Sequence, residues 1–404
     1  MNPPEDDLPP AALNRAVDPA VAAVSRRQVA LFIAARIALN GAYRVVYPFL
    51  GSFASGMGVS LQAAAYPLTV RALIGGFSPL LGPVADRYGR KVGMLLGLGM
   101  FVCGAGLVAL WPSFPAFFAA LILTALGNQM FVPAMQAYLG DRVAYRRRGA
   151  VLALTEMGWS LSFIVLVPLL GLLIARLGWT APFWLLAGLG AAAFAAIVVL
   201  VPRDAPHPRE RENAIWHGLR QVISSRVALT ALGFYLLIVM GNEVVNVMFG
   251  VWLRQSFSLQ VTALGLVAFV IGMSELSGES ATALLVDRVG KKRAVRLGVG
   301  FTCLAALALP WLGRTQAGAV VGLFLFYLGF EFSLVSFIPL LTEALPSARA
   351  TLMAGSVAAS SLGRALGALI GPGLFQFGFE ANAWVCLAVN VLALVVLSRV
   401  RIDE

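Results

Sequence analysis

Four arginines and five glutamates lie inside stretches that are otherwise almost wholly apolar: Arg36, Arg44, Arg71 and Arg364, with Glu156, Glu243, Glu275, Glu279 and Glu331. A charged side chain at the centre of a bilayer costs about 2.5–3.5 kcal/mol on insertion scales, so each one needs a partner, water or a task. The near balance of sign suggests pairing, with one carboxylate left over to titrate. A carboxyl taken out of water keeps its proton to higher pH, which is the physical basis of coupling a proton to a cargo. Glu243 is the first candidate for that role and Glu331 the second, with Glu156 a further one. The competing reading, static ion pairs that fix helix packing, is strongest for Arg71, Glu275 and Glu279. Both histidines (His207, His217) fall in a polar linker, so a histidine relay is not expected.

The spacing of the polar residues says which way they face. In the stretch 27–50, Arg36, Asn40, Tyr43, Arg44 and Tyr47 fall on one helical stripe roughly 100° wide. In 227–255, Tyr235, Asn242, Glu243 and Asn246 form an equally narrow stripe. A shift of 199 residues lays Tyr43, Arg44 and Tyr47 over Asn242, Glu243 and Asn246. A cation and a carboxylate therefore stand at matching depths in opposite halves of the chain, both turned toward a shared cavity. Asn128, Gln129 and Gln136 add polar groups in 115–140, and Glu331 lies near the position that matches Gln129. Glu275 and Glu279 are one turn apart, and Arg364 follows Ser356 and Ser360.

The elements that must hold these residues are membrane helices. Hydrophobic residues make up 59% of the 404-residue chain and charged ones 12%, with a mean hydropathy of +0.85. Soluble domains carry about 25% charged residues. At about 20 residues per crossing the length accommodates twelve helices, read at 27–50, 62–84, 91–111, 115–140, 149–177, 180–201, 227–255, 260–286, 294–313, 317–343, 350–378 and 380–399. The net charge of +11 is not a nucleic-acid signal, because 23 of the 30 Lys and Arg fall on one side of this topology and three (Arg176, Arg254, Arg314) on the other. That asymmetry puts both termini in the cytoplasm of a multi-pass inner-membrane protein. Cys103, Cys303 and Cys386 lie in apolar spans and read as packing residues, with neither metal nor disulfide implied. Residues 1–26 are acidic and proline-rich, which suggests a disordered tail. The linker 202–226 is polar at first and then amphipathic through Ile215, Trp216, Leu219, Val222 and Ile223, as for a short helix on the inner membrane surface.

The chain also repeats itself. Gly82-Pro-Val-Ala-Asp86-Arg87-Tyr-Gly89-Arg90-Lys91 joins two apolar stretches, and Asp287-Arg288-Val-Gly290-Lys291-Lys292 returns 201 residues later. Arg148-Gly149 and Arg349-Ala350 repeat at the same interval, and Pro168 and Pro372 break the spans that follow. Repeats of this kind imply two pseudo-symmetric six-helix bundles, 27–201 and 227–400, with a substrate site between them at mid-membrane.

The first copy of the loop resembles G-x-L-A-D-R-x-G-R-K, the loop between the second and third helices of the major facilitator superfamily, and only Val84 departs from it. The resemblance covers the chain after residue 26. It implies an all-α fold whose spans one, four, seven and ten line the cavity. It further implies that the loop latches to span eleven in the outward-facing state. On that basis Gly82, Asp86, Arg87, Gly89, Arg90 and Lys91 would form the latch, with Asp141 and Arg148 as partner charges, an Arg90–Asp141 pair, and Asp287 and Arg288 as the second copy. The drug-antiporter signatures are incomplete: Leu123 stands where span four of those proteins carries Arg, and only Pro168-x-x-Gly171 survives of their span-five motif. A better G-x-x-x-G-P, at Gly367, Gly371 and Pro372, reads equally well as close helix packing.

These features point to a secondary transporter that works as a monomer and moves a small organic solute with protons. Export of an amphipathic or drug-like molecule is favoured. Uptake of an organic anion by Arg36, Arg44 and Arg364, or flipping of a lipid or lysolipid, are the alternatives. A membrane scaffold or sensor is disfavoured by the retained cavity charges. No phosphate-cradling loop, catalytic pair or cofactor motif points to an enzyme.

Overall fold

The structure is a computed structural model that describes residues 24–76, 88–202 and 219–399. The acidic tail, the polar part of the linker with His207 and His217, and Gly82, Asp86 and Arg87 of the loop lie outside the described residues. The described residues are helical almost throughout. Ten helices are long and apolar enough to cross a membrane, or eleven if a bent pair counts as one span.

That bent pair is span one, Arg26–Arg44 followed by Val46–Met57. Span two begins as Leu61–Gly75 and runs into undescribed residues, so the expected twelfth crossing is described only in part. The remaining spans are three (Arg90–Leu110), four (Phe114–Arg142), five (Val151–Leu177), six (Ala181–Leu200), seven (Arg226–Phe257) and eight (Val261–Val289). Nine is Lys291–Leu312, ten Gln316–Ala344, eleven Arg349–Phe375 and twelve Phe379–Ser398.

Helix starts follow the repeat. Ser25 and Ser225 cap spans one and seven, and Ser113 and Thr315 cap four and ten, each hydroxyl accepting a backbone N–H of the first turn. The turns before spans three and nine are made alike as well. Gly89 has φ 97° and Gly290 φ 91°, a region that a β-carbon makes costly.

Spans one and seven are interrupted where the sequence reading drew them straight, span five is interrupted as expected, and span eleven, expected to break at Pro372, runs through it as one helix, Arg349–Phe375. Pro48 cannot bond the Arg44 carbonyl, and span one bends by 54° at Val45. Span seven has its own break at Val247–Met248, two hundred and two residues after Val45. In span five, Pro168 removes the donor for Ile164, and a π-helical turn occupies Ser162–Leu166 just before it. The Gly367 and Gly371 stripe of span eleven lies against span seven. A β-carbon at Gly367 would come within 2.6 Å of Glu243 Cβ, so the stripe serves close packing.

The linker's amphipathic end is helical over 219–224, with Val222 buried in the core of the C-terminal half and Leu219 and Ile223 exposed. Cys303 and Cys386 are buried and Cys103 is exposed.

Gly290→Ala should lower stability by about 1–3 kcal/mol, the cost of forcing a side chain into that backbone region. Gly300→Ala, in a helix with open space around it, serves as the control. Thermal unfolding of the purified variants in detergent checks both.

Candidate functional site

A cavity of about 1020 Å³ lies between the two sets of six spans. Its deep end is formed by Arg44 and Tyr47 of span one, Asn242 and Asn246 of span seven, Tyr327 of span ten and Arg364 of span eleven. Its mouth is bordered by Ala153 of span five, Ala283 of span eight and Ile338 of span ten, all exposed. These three lie near the ends that carry the basic connections, so the cavity opens there. The opposite end is shut. Gly250 sits directly against Pro48, and Arg254 Nη1 donates to Ser52 Oγ at 3.2 Å. Spans five and eight are in contact where Gly265 meets Pro168 and Gly272 meets Phe163. Ser160 Oγ donates to Glu279 Oε1 at 3.0 Å further toward the mouth.

Burial makes almost every interior charge seek a partner, and two of the contacts, Arg44 with Glu275 and Tyr47 with Glu243, cross between the halves. Arg44 donates to Glu275 Oε1 at 2.5 Å and to the Trp159 carbonyl at 3.0 Å. Its guanidinium lies 3.4 Å from the Phe163 ring centre and 4.4 Å from that of Trp159. Glu243 accepts from three neighbours: Tyr47 Oη at 2.9 Å, Arg364 Nη1 at 3.3 Å and Asn246 Nδ2 at 3.3 Å. Tyr327 Oη closes the network on Asn246 Oδ1 at 2.7 Å. Arg71 stands behind it, donating to Tyr47 Oη at 3.1 Å and to the Tyr43 carbonyl at 2.8 Å, with Tyr43 as its π-face.

Glu331 stands apart. It lines the cavity, is 6% exposed, and no hydrogen bond or ion pair joins it to any described residue.

The sequence-derived candidates divide accordingly. Arg44, Tyr47, Asn242, Asn246, Arg364, Glu331 and Glu156 line the cavity; Glu243 sits behind Arg364 and Tyr47. Arg36 does not line it. Both of its terminal nitrogens are taken by Glu156 at 2.8 Å, and Gln136 donates to the same carboxylate at 2.9 Å. Asn40, Tyr43, Asn128, Gln129 and Tyr235 are likewise outside the lining. Tyr43 covers Arg71, Gln129 lies beside Gly75 of span two, and Tyr235 stacks on Phe337 at 5.6 Å. A stripe 100° wide holds both cavity-facing residues and those facing a neighbouring helix, and helical spacing alone does not separate them. Trp159 and Tyr327 were missed, although a 199-residue shift brings Asn128 onto Tyr327.

At the basic end, Arg90 Nε lies 3.5 Å from Asp141 Oδ2, the pair expected from the sequence. Lys91 Nζ donates to the Val198 carbonyl at 2.7 Å. The repeat supplies a second such pair, Lys291 with Glu343, at intervals of 201 and 202 residues, which the sequence reading overlooked. Asp287 and Arg288 are exposed beside it, and Arg148 sits in the first turn of the helix Tyr145–Glu156.

Comparison with known proteins agrees with this architecture. The family model described as Major Facilitator Superfamily matches residues 29–355. The chain is 28% identical over 359 residues to the uncharacterized MFS-type transporter YwfA of Bacillus subtilis, covering 87% of this chain and 86% of that one. It is 29% identical over 169 residues to the multidrug resistance protein MdtL of Escherichia coli, covering 40% and 42%. Among solved structures, a D-xylose–proton symporter superposes with a TM-score of 0.75 at 18% identity, over 93% of this chain and 97% of that one.

Removing one member of the Arg44–Glu275 pair leaves a buried charge without its partner. Arg44→Gln should therefore lower stability by about 3–5 kcal/mol, and the double variant with Glu275→Gln should recover more than half of that. Arg90→Gln, whose partner is half exposed, should cost less than about 1 kcal/mol. A double-mutant cycle on unfolding in detergent reads all three.

Proposed function

Because the chain belongs to the Major Facilitator Superfamily, we propose that it moves a small amphipathic organic solute across the cytoplasmic membrane by alternating access, exporting it in exchange for protons. The observation that carries this reading is Glu331. It is a carboxyl with no partner among the described residues, on the wall of a cavity large enough for a drug-sized solute. Its surroundings suit proton exchange. Glu275 and Glu279 face it from span eight, Arg44 and Arg364 carry the nearest cationic charge, and the open mouth admits water. Glu243, the first choice from sequence, already holds three hydrogen-bond donors and is the less available of the two.

The charges fit an export cycle. The open mouth lies at the end rich in Lys and Arg, which the positive-inside rule assigns to the cytoplasm together with both termini. A solute can then enter from inside and leave when the shut end opens. The cavity wall is mostly apolar, with Met157, Trp159, Phe330, Leu334 and Ile338 among its residues, as an amphipathic cargo requires. The partial match to a multidrug resistance protein supports the same reading. Uptake of an organic anion is less well supported, because Arg44 and Arg364 are matched by Glu275 and Glu243. The chain needs no second copy for this cycle and is taken to act as a monomer.

Proteoliposomes under an imposed pH gradient, assayed with fluorescent cations, organic anions and labelled lysolipid, test the proposal. Glu331→Gln should abolish gradient-driven flux, because an amide keeps the shape and cannot titrate. Undiminished gradient-driven flux in Glu331→Gln contradicts the assignment.

A further inference from the structure

We propose that the cavity takes an organic cation, its charge held by a carboxylate cluster on spans eight and ten made of Glu279, Glu331 and the unbonded oxygen of Glu275. The proposal deepens the transport reading above and rests on it.

The charges on the cavity wall do not cancel. Arg44, on the wall, is neutralised by Glu275 Oε1, and Arg364 by Glu243. Glu156 is neutralised by Arg36. Arg71 is buried behind Tyr43 and Tyr47 and does not reach the wall. Glu279 and Glu331 are then left on the cavity surface with no cation on either. Glu279 holds only the Ser160 hydroxyl. Glu331 holds nothing among the described residues and is more than nine-tenths buried. Glu275 is equally buried, and its Oε2 has no hydrogen-bond partner. Span eight brings these groups together: Glu275 and Glu279 are one turn apart, and Gly278 between them lets span ten close in at Glu331.

The rest of the wall selects the kind of cation. Trp159, which Arg44 covers on one side, and Phe330 put aromatic rings on the wall, and Met157, Leu276, Leu334 and Ile338 offer apolar surface. A small, strongly hydrated ion would lose its water here without replacement. A lipophilic cation with a spread-out charge loses little, and it gains both the carboxylates and the aromatic rings.

Tetraphenylphosphonium and tetraphenylborate share one shape and differ in sign, so they separate charge from hydrophobicity. Equilibrium binding to the purified full chain in detergent, with no gradient present, should show one saturable site for the phosphonium and none for the borate. Glu279→Gln and Glu331→Gln should each weaken phosphonium binding about tenfold or more, the worth of one charge-assisted contact. Borate binding as tight as phosphonium, or unchanged phosphonium affinity in both variants at an unaltered unfolding temperature, overturns the proposal. If a variant does not fold, carbodiimide labelling of the wild-type chain gives the same decision by mass spectrometry. Phosphonium, and not borate, should protect Glu279 and Glu331, and equal labelling with either ion overturns the proposal. Failure here leaves gradient-driven flux of another solute standing. Intact phosphonium binding with unimpaired gradient-driven flux in Glu331→Gln would instead remove the coupling assignment.

Discussion

A charge within a bilayer must be matched, and in this protein two of the contacts that do so join one half to the other. Arg44 of span one holds Glu275 of span eight, and Tyr47 of span one holds Glu243 of span seven. Either contact on its own could be a packing device. Together they mean that the halves cannot separate along this seam without exposing or exchanging buried charge. Water supplies the exchange. The cavity reaches Arg44, Tyr47 and Glu275, so these groups can trade each other for solvent or solute as the shape changes. A network buried on every side would be static; one that borders an open cavity can be rearranged.

The shut end is built differently. There the contacts between the halves are mostly of backbone and apolar groups, Gly250 on Pro48 and Gly265 on Pro168, with one polar bond from Arg254 to the Ser52 hydroxyl. Such surfaces part at the cost of dispersion and packing, with no ion left unpaired. At the basic end, Arg90–Asp141 and Lys291–Glu343 each tie helices within one set of six spans. The described ion pairs there make each half firm without fastening it to the other. Charge holds the middle, shape closes one end, and the pairs at the other end stiffen each half by itself.

Much of this was written in the sequence. The helix positions follow from hydropathy, and the repeat near 200 residues predicts matching caps and turns in the two halves. The Gly89 and Gly290 turns, and Ser25 with Ser225, are direct copies. The partners within the site were less legible. Helical spacing gives an angle but no neighbour, so Arg36 read as a cavity residue although Glu156 claims it. Pro48 and Pro168 then turn parts of spans one and five out of the register that a straight helix would keep. Glu343 was hidden by a one-residue drift in the repeat. Glu331 was found as a candidate, but its want of a partner depends on six spans at once, and no single stretch of sequence reports it.

Alternating access between a seam of charge and a seam of shape is the central claim, and paired distances test it most directly. Spin labels at Gln62 and Gln260 would report the shut end, and labels at Arg147 and Arg293 the basic end; all four positions are exposed. The labels would be placed in a chain whose three native cysteines have been replaced. Electron–electron resonance in lipid nanodiscs, taken from alkaline to acid pH, should show the first pair moving apart as the second draws together. Distances that stay fixed, or that change in the same direction at both ends, would contradict the account.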